Sequence, residues 1–320
     1  MRTPDDVTVA DIRSARERLA GIAVRTPLVR LDVPGLDADV WLKLENLQPI
    51  GSFKLRGAAN AMLLAGHERL VDGVYTASAG NMAQGVAWSA RRLGVPCRVV
   101  VPDHAPRTKL EATERLGAEI IAVPFDRWWQ TLVDHRFDGI PGMFVHPVSD
   151  PAVIAGNGTI GLEIVEDLPT VDAVLVPYGG GGLSCGIATA IRAARPDATV
   201  LACEVATAAP LSAALAAGAP RPIEYTPSFV DGIGGRAVLA EMWPLARRVL
   251  NGALVVSVEE IAAAVRLLVE RARVVAEGAG AAALAAAISH RVRGSVVCVV
   301  SGGNIDTSVL ATILAGRTPS

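Results

Sequence analysis

The order of apolar and polar residues predicts alternating strands and helices along most of the chain. Between residues 73 and 123, short apolar runs typical of buried strands alternate with segments of helical spacing. The strands are predicted at 74–77, 97–101 and 119–123, and the helices at 83–93 and 108–116. A second series of the same kind begins after residue 150, with its last strand at 296–300 and a final helix at 306–314. This alternation favours parallel βαβ units, so the predicted fold class is α/β with parallel sheets.

The stretch 48–56, Gln-Pro-Ile-Gly-Ser-Phe-Lys-Leu-Arg, introduces a predicted helix that ends near Gly66. Its Pro and Gly interrupt any incoming regular element, and Ser52 is predicted to cap the helix. At a helix N-terminus the macrodipole disfavours a cation, so Lys54 can reach its neutral form more easily. A neutral amine can condense with an aldehyde, which makes Lys54 a candidate covalent anchor. A solvated lysine in the first turn of a surface helix is the alternative.

Four consecutive glycines, Gly179–Gly182, directly follow a predicted buried strand and precede a helix that starts near Leu183. Backbone amides without side chains can surround an anion there, aided by the positive end of the helix. A tight turn is the alternative, although one or two glycines would suffice for it. The spacing is neither that of a P-loop nor GxGxxG. The run is therefore a candidate phosphate site.

Two further turns carry many hydrogen-bond donors and follow predicted strands. Ser78-Ala-Gly-Asn81 opens a helix and suits a carboxylate, with N-capping by Ser78 as the alternative. Ser301-Gly-Gly-Asn304 follows the last strand, where ligands of open α/β sheets usually bind. A capping serine in a Gly-Gly turn is the alternative for Ser301.

Composition and charge narrow the class of protein. The chain has 320 residues, 51% hydrophobic and 19% charged, and can bury a substantial core. Its net charge of −2 gives no reason to expect binding to nucleic acid or to a membrane surface. Charges interrupt the Ala-rich stretches, and the first residues are polar and acidic. A cytoplasmic protein is therefore expected.

The cysteines and histidines show no ligand spacing. The four cysteines lie far apart without a CxxC pair, which indicates reduced, buried side chains. The five histidines form no spaced cluster and are interpreted as surface or structural residues.

Together with Lys43-Leu-Glu45, the stretch 48–56 resembles the cofactor-lysine segment of the fold-type II pyridoxal-phosphate enzymes. Within them it is most similar to the threonine/serine dehydratases and serine racemases, and matching blocks extend almost to the C-terminus. The resemblance implies a fold like that of the tryptophan synthase β chain, with two open, twisted, parallel sheets flanked by helices. It also implies a small substrate-closing domain at 70–146, inserted into a large cofactor-binding domain at 1–69 and 147–320.

The resemblance also implies roles for individual residues. Lys54 would hold pyridoxal 5′-phosphate and, with Ser78, serve catalysis. The residues implied in cofactor binding are Phe53, Lys54, Asn81, Gly179, Gly180, Gly181, Gly182, Leu183, Gly232, Glu277 and Ser301. Those implied in substrate binding are Ser78, Ala79, Gly80, Asn81 and Met82. From the residues themselves, Phe53 would be interpreted as core and Glu277 as a cap or helix-end charge.

Three positions depart from the family pattern. Met82 stands where the family usually has His, which puts the identity of the substrate in doubt. Ala79 stands where similar racemases carry a serine acid/base, and alanine has no proton to give. Some relatives bind a divalent cation with a Glu and an Asp six residues later, but Glu204 is followed at that spacing by Pro210. No metal is therefore expected.

The predicted function is a dehydratase that converts an L-β-hydroxy amino acid, such as threonine or serine, to a 2-oxo acid and ammonia. An amino acid racemase or β-replacement enzyme on the same scaffold is one alternative. A non-catalytic protein that binds phosphate or an amino acid is another. The expected partner is a small amino acid substrate, and the resemblance implies a homodimer.

Overall fold

A computed structural model describes residues 2–33, 35–105 and 107–319, and within them ten strands form two separate sheets. The strands are β1 (Leu28–Leu31), β2 (Ala38–Leu44), β3 (Val74–Ala77), β4 (Cys97–Pro102), β5 (Glu119–Val123), β6 (Met143–Phe144), β7 (Ala173–Pro177), β8 (Thr199–Val205), β9 (Gly252–Val256) and β10 (Gly294–Val300). One sheet has the strand order β1-β2-β10-β7-β8-β9, and the other has β5-β4-β3-β6.

Helices cover the sheets. They are α1 (Val9–Arg18), α2 (Lys54–Ala65), α3 (His67–Leu70), α4 (Asn81–Leu93), α5 (Arg107–Glu114), α6 (Phe125–Asp134), α7 (Pro151–Asp167), α8 (Gly182–Ala194), α9 (Pro210–Ala217), α10 (Trp243–Val249), α11 (Val258–Leu267), α12 (Gly278–Ser289) and α13 (Thr307–Leu314). The predicted α/β fold class is thus confirmed. No helix within the described ranges is long and apolar enough to cross a membrane.

The six-stranded sheet is buried on both faces. On β7, Val174 and Val176 pack into a core with α1, α7 and α8 on one face. The alternate residues Ala173 and Leu175 pack against α11 and α12 on the other face. Burial on both sides explains why its central strands read as continuous apolar runs rather than as alternating patterns.

The pairing is parallel throughout both sheets, except at one edge. There β1 pairs antiparallel with β2, with Leu28 opposite Lys43. The two strands are joined by a short connection, which permits an antiparallel pair but is too short for a parallel crossover. The predicted parallel sheets are thus confirmed, with β1 as one antiparallel strand added at an edge.

Glycines bring three helices of the large sheet unusually close together. A Cβ on Gly156 of α7 would lie 2.5 Å from the carbonyl oxygen of Arg56 in α2. A Cβ on Gly158 would lie 2.8 Å from the carbonyl oxygen of Gly186 in α8. A Cβ on Gly161 would meet the Ile187 carbonyl oxygen at the same 2.8 Å. We call α2, α7 and α8 the glycine-packed frame.

The four-stranded sheet lies entirely within residues 70–146, and the six-stranded sheet lies entirely outside this range. The division predicted from the sequence would therefore leave each sheet whole. We propose on this basis that residues 70–146 form a small domain inserted between the two parts of a larger one.

Candidate functional site

Lys54 is the first residue of α2, and its amine faces a carbonyl oxygen from a distant segment. The Nζ atom donates a hydrogen bond of 2.8 Å to the Pro147 carbonyl oxygen. Burial lowers the pKa of Lys54 to about 8, although the nearby Glu277 carboxylate raises it. The amine is therefore far more often neutral than that of a solvated lysine, as a nucleophile or base requires.

Ser52 does not cap α2, so that prediction is wrong. The N-cap is Phe53, without a side-chain cap bond, and the buried Ser52 hydroxyl has no partner among the described residues. Ser52 instead forms a backbone bridge with Gly302. The Phe53 amide donates to the Ser301 carbonyl oxygen at 3.0 Å. These bonds align the lysine loop with the loop after β10, which outweighs a local cap.

A buried charge network fixes the position of α2. Arg56 donates to Glu45 at 2.8 Å and to Glu163 of α7 at 2.6 Å. The Lys43 amine lies 2.6 Å from the second oxygen of Glu163. Burial alone would raise the pKa of Glu45, but the charge and hydrogen bond of Arg56, with smaller contributions from Thr26 and Lys43, together outweigh burial and lower the pKa. Lys43 and Glu45 stand in a motif of the sequence, whereas nothing local in the sequence indicated Glu163, the partner of Lys43.

The tetraglycine run joins β7 to α8 and leaves no room for side chains. Gly181 is the N-cap of α8 with a φ of +96°, a conformation that glycine adopts without strain. A Cβ on Gly180 would lie 2.5 Å from Val148 Cγ1, and one on Gly182 would lie 2.7 Å from the Val148 carbonyl oxygen. The first turn of α8, including Leu183, follows directly. Backbone amides at a helix N-terminus favour an anion.

His146 organises the turn that connects the lysine with the glycines. Its Nδ1 accepts hydrogen bonds from the backbone amides of Val148, at 3.1 Å, and Ser149, at 2.8 Å. Burial lowers the pKa of His146 to about 3, with a smaller contribution from the charge of His135. The turn thereby presents the Pro147 carbonyl to Lys54 and Val148 to the glycines. The structural interpretation of His146 fits, but nothing local in the sequence indicated this location.

The loop before α4 brings Asn81 into contact with Glu277 and buries Met82 away from it. The Ser78 hydroxyl accepts a bond from the Gly80 amide at 3.2 Å, and the N-cap of α4 is Gly80. The Asn81 side-chain amide donates to Glu277 Oε1 at 2.8 Å. Met82, by contrast, is 1% exposed and packs in the apolar core behind α4. A substitution at Met82 would therefore change the packing of the core and not the side of the loop on which Asn81 contacts Glu277.

The remaining predicted residues lie near the carboxyl ends of β7 and β10. A Cβ on Gly179 would lie 3.5 Å from the Gly232 carbonyl oxygen, and one on Gly232 would lie 3.4 Å from Glu277 Oε1. Ser301 directly follows β10 and is 3% exposed. The Lys54 amine lies 5.3 Å from the centre of the Phe53 ring. Carboxyl ends of neighbouring parallel strands are where open α/β sheets bind ligands.

Glu204 and His146 are of residue types that can bind metals, but both already accept hydrogen bonds from backbone amides. Both Glu204 oxygens accept backbone amides of α9, from Leu211 at 2.7 Å and Ser212 at 2.8 Å, so Glu204 caps the helix that Pro210 begins. His146 also lies near His135 and Glu241. Because its Nδ1 accepts amide hydrogens, the neutral ring carries its own hydrogen on Nε2, which cannot then coordinate a metal.

A model of the family described as pyridoxal-phosphate dependent enzyme matches residues 20–302. The chain is 40% identical to an L-threonine ammonia-lyase of Thermotoga maritima, covering 96% of this chain and 78% of that protein. It is 37% identical to the catabolic L-threonine dehydratase of Escherichia coli K12, covering 96% of each chain.

Solved structures show the same similarity. A threonine deaminase from T.th. superposes with a TM-score of 0.87 at 35% identity, covering 93% of this chain and 99% of that one. Maize serine racemase superposes with a TM-score of 0.86 at 30% identity, covering 97% of each.

Proposed function

Because the chain belongs to the family of pyridoxal-phosphate-dependent enzymes, we propose that it deaminates a small L-β-hydroxy amino acid, threonine or serine, to a 2-oxo acid and ammonia. One observation carries the proposal: the Lys54 amine, with its pKa lowered to about 8, faces the turn that packs on the tetraglycine run. The choice of substrate is supported by relatives named for threonine that match nearly the whole chain.

The residues present fit pyridoxal phosphate. The glycine run offers backbone amides and a helix N-terminus to the phosphate, and a Cβ on Gly180 or Gly182 would collide with Val148. In this proposal Ser301, Gly232 and Glu277 would hold the ring, and Leu183 would continue the turn that binds the phosphate. When bound, the cofactor supplies an aldehyde carbon and an electron-withdrawing ring that stabilises negative charge at the substrate Cα.

Lys54 has two roles in the proposed mechanism. It would hold the cofactor through Nζ, and with the substrate bound the free Nζ would accept the proton from the substrate Cα. The β-hydroxyl would leave as water by taking up the proton that Nζ has removed from Cα. The released enamine would then tautomerise and be hydrolysed to a 2-oxo acid and ammonia. A pKa lowered by burial provides a neutral amine for both steps.

The loop Ser78–Met82 positions the substrate in this proposal. The Ser78 hydroxyl and the amides that open α4 bind the substrate carboxylate, and Asn81 orients the cofactor ring. Ala79 and Gly80 contribute backbone only, and Met82 contributes its amide while its side chain supports the core.

Racemisation is the second candidate, because racemases are among the similar structures, including one for aspartate with a TM-score of 0.86. A racemase needs a proton donor on the face of Cα opposite Lys54. Ala79, at the position where similar racemases carry a serine, offers none. Elimination is therefore favoured.

We also propose that the chain acts in the cytoplasm as a homodimer. All four cysteines are free and buried, as is typical of proteins from reducing compartments. The homodimer rests on the family resemblance, and sedimentation equilibrium of the purified protein tests it.

A substrate panel and a covalent trapping experiment test the proposed function. Purified protein is incubated with L-threonine, L-serine and other L-amino acids, and 2-oxo acid, ammonia and D-enantiomer are measured. We expect equal amounts of 2-oxo acid and ammonia from threonine or serine, whereas D-enantiomer without ammonia would contradict elimination.

Borohydride reduction of the holoenzyme followed by peptide mapping identifies the anchor. The chain contains three lysines, Lys43, Lys54 and Lys109, so the assignment is unambiguous. We expect the label on Lys54, with loss of visible cofactor absorbance in Lys54→Ala and retention in Lys109→Arg. A label on another lysine would contradict the proposed site.

A further inference from the structure

The side chains of Asn304, Asn81 and Glu277 form a continuous row of hydrogen bonds across the site. Asn304 has no assigned role so far. Asn304 Nδ2 donates to the Ile50 carbonyl oxygen at 2.9 Å and to Asn81 Oδ1 at 2.7 Å. Asn81 Nδ2 in turn donates to Glu277 Oε1 at 2.8 Å. The row thus begins at the lysine loop and ends at the carboxylate near Lys54.

The chemistry of its two ends determines how both amides are oriented. The Ile50 carbonyl can only accept, so Asn304 must direct its NH₂ group there. The same NH₂ group then donates its second hydrogen to Asn81, which must turn its oxygen toward Asn304. The NH₂ group of Asn81 therefore points to Glu277, which as a carboxylate accepts it. Amide orientation is often ambiguous, but here each end permits only one choice.

The row also joins the two parts of the chain. Asn81 begins α4 within residues 70–146, whereas Asn304 and Glu277 belong to the six-stranded part. Gly51 leaves space for it, because a Cβ there would lie 2.6 Å from Asn304 Oδ1. The hydrogen bond between Asn304 and Asn81 thus directly joins the two proposed domains.

We propose that Asn304 is a positioning residue, which holds the NH₂ group of Asn81 toward Glu277 and holds the start of α4 against the loop after β10. It acts through Asn81 and not on the substrate. The inference rests on the proposed function in one respect, because Asn81 is there assigned to orient the cofactor ring.

The test is the isosteric substitution Asn304→Asp in the holoenzyme. A carboxylate at position 304 cannot donate, so Asn81 must rotate its NH₂ group toward it and turn its oxygen to Glu277. We expect about tenfold weaker binding of pyridoxal phosphate, the equivalent of about 1.4 kcal/mol. We also expect faster amide hydrogen exchange over residues 78–84. Neither measurement requires a turnover assay, so both remain valid even if the proposed substrate is wrong.

Asn46→Asp is the matched control. Asn46 Nδ2 donates to the Val275 carbonyl oxygen at 3.1 Å, beside the same loop, and makes no bond to Asn81 within the described residues. Cofactor affinity and exchange at 78–84 should be unchanged in this variant. Equal effects of the two substitutions would overturn the proposal.

A double-substitution cycle separates positioning from a direct role, and uses Asn304→Ser in case the aspartate variant does not fold. If Asn304 acts through Asn81, adding Asn304→Ser to Asn81→Ala changes cofactor affinity by less than about twofold. Additive losses in cofactor affinity would overturn the assignment.

Discussion

At the scale of single residues, the environment of Lys54 determines what the site can do. Its amine is partly buried, bonded to a neutral carbonyl oxygen and influenced by one carboxylate, Glu277. Burial favours the neutral amine and the carboxylate favours the charged one, and burial prevails. The pKa of Lys54, and with it the reactivity of the amine, can therefore be changed by altering either the burial of the side chain or the charge of Glu277.

The first prediction concerns the pH dependence of cofactor attachment. In protein stripped of cofactor, the rate of covalent attachment should rise with pH to a midpoint near the Lys54 pKa of about 8, well below the 10.5 of an ordinary lysine. Glu277→Gln removes the charge that raises this pKa, so its midpoint should lie lower. Stopped-flow absorbance measures both rates. A midpoint that rises in Glu277→Gln would contradict this account.

The second prediction concerns the space beside Val148. Gly180→Ala should destabilise the protein, because the new Cβ would lie 2.5 Å from Val148 Cγ1. Adding Val148→Ala should restore much of the loss, since it removes the colliding methyl groups. Gly179→Ala is the control, as its Cβ would make an ordinary contact of 3.5 Å. Urea unfolding of these variants and the wild type compares them, and a failure of Val148→Ala to rescue would show that the collision is not the cause.

At the scale of elements, α2 is held by charge rather than by a cap. Arg56 links it to Glu45 beyond β2 and to Glu163 in α7, and all three side chains are buried. Such a network contributes when it is complete, but the loss of one member leaves uncompensated charge in the interior. The position of Lys54 on α2 depends on this network.

The third prediction follows for Arg56→Met. Two buried carboxylates would lose their main partner, so we expect a loss of about 3–5 kcal/mol in the free energy of unfolding. The control is Arg30→Met, which breaks an exposed pair with Asp39 and should cost about 0–1 kcal/mol. Urea denaturation followed by circular dichroism measures both. Similar losses in the two variants would mean that burial of the network is unimportant.

Elements with a strong local pattern could be predicted from the sequence, and those determined by distant contacts could not. The strand at 119–123 and the start of α2 at Lys54 are found where the pattern places them. The short strand β6 and helix α10 were missed, because two and seven residues carry too little periodicity. The predicted helix at 7–22 is shorter at both ends, since Thr8 caps it and the regular turns stop at Arg18.

The same distinction applies to the site. Gly179–Gly182, Lys54 and Ser301 stand in local motifs, so their types and spacing indicated them. His146 and Glu163 contact the site from segments far away in sequence. A lone histidine or a helical glutamate carries no local signal of such a contact. The roles of all these residues in binding and catalysis stay predictions.

At the scale of the whole molecule, the turn at 146–149 connects the two sheets. It follows β6 of the four-stranded sheet and contacts both Lys54 and the glycine run of the larger sheet. His146 holds the turn in a neutral form, with a pKa lowered to about 3 by burial. The global stability of the protein should therefore respond to the protonation of this one ring.

The fourth prediction is an acid-sensitive stability that depends on His146. An unfolded histidine binds a proton below pH 6.5, whereas the folded one does so only near its pKa of about 3, so stability is lost as pH falls through this window. Between pH 7 and 5 this group should account for about 2 kcal/mol of lost stability. Urea unfolding at the two pH values measures it.

His146→Asn should reduce that loss, because the asparagine oxygen can accept the same backbone amides without titrating. The exposed His67→Asn should behave as the wild type. An unchanged pH dependence in His146→Asn would assign the acid sensitivity to other groups.

The glycine-packed frame limits which parts of the molecule can move. Helices whose backbones touch through Gly156, Gly158 and Gly161 cannot slide without collision. That frame carries Lys54 on one helix and the end of the glycine run on another. Rearrangement during turnover is therefore expected outside this frame, and residues 70–146, which carry Ser78 and Asn81, are the part that we propose to move. If the proposed roles hold, substitutions among the residues that contact the substrate carboxylate change which amino acid is accepted, while the helices that hold Lys54 and the glycine run keep their arrangement.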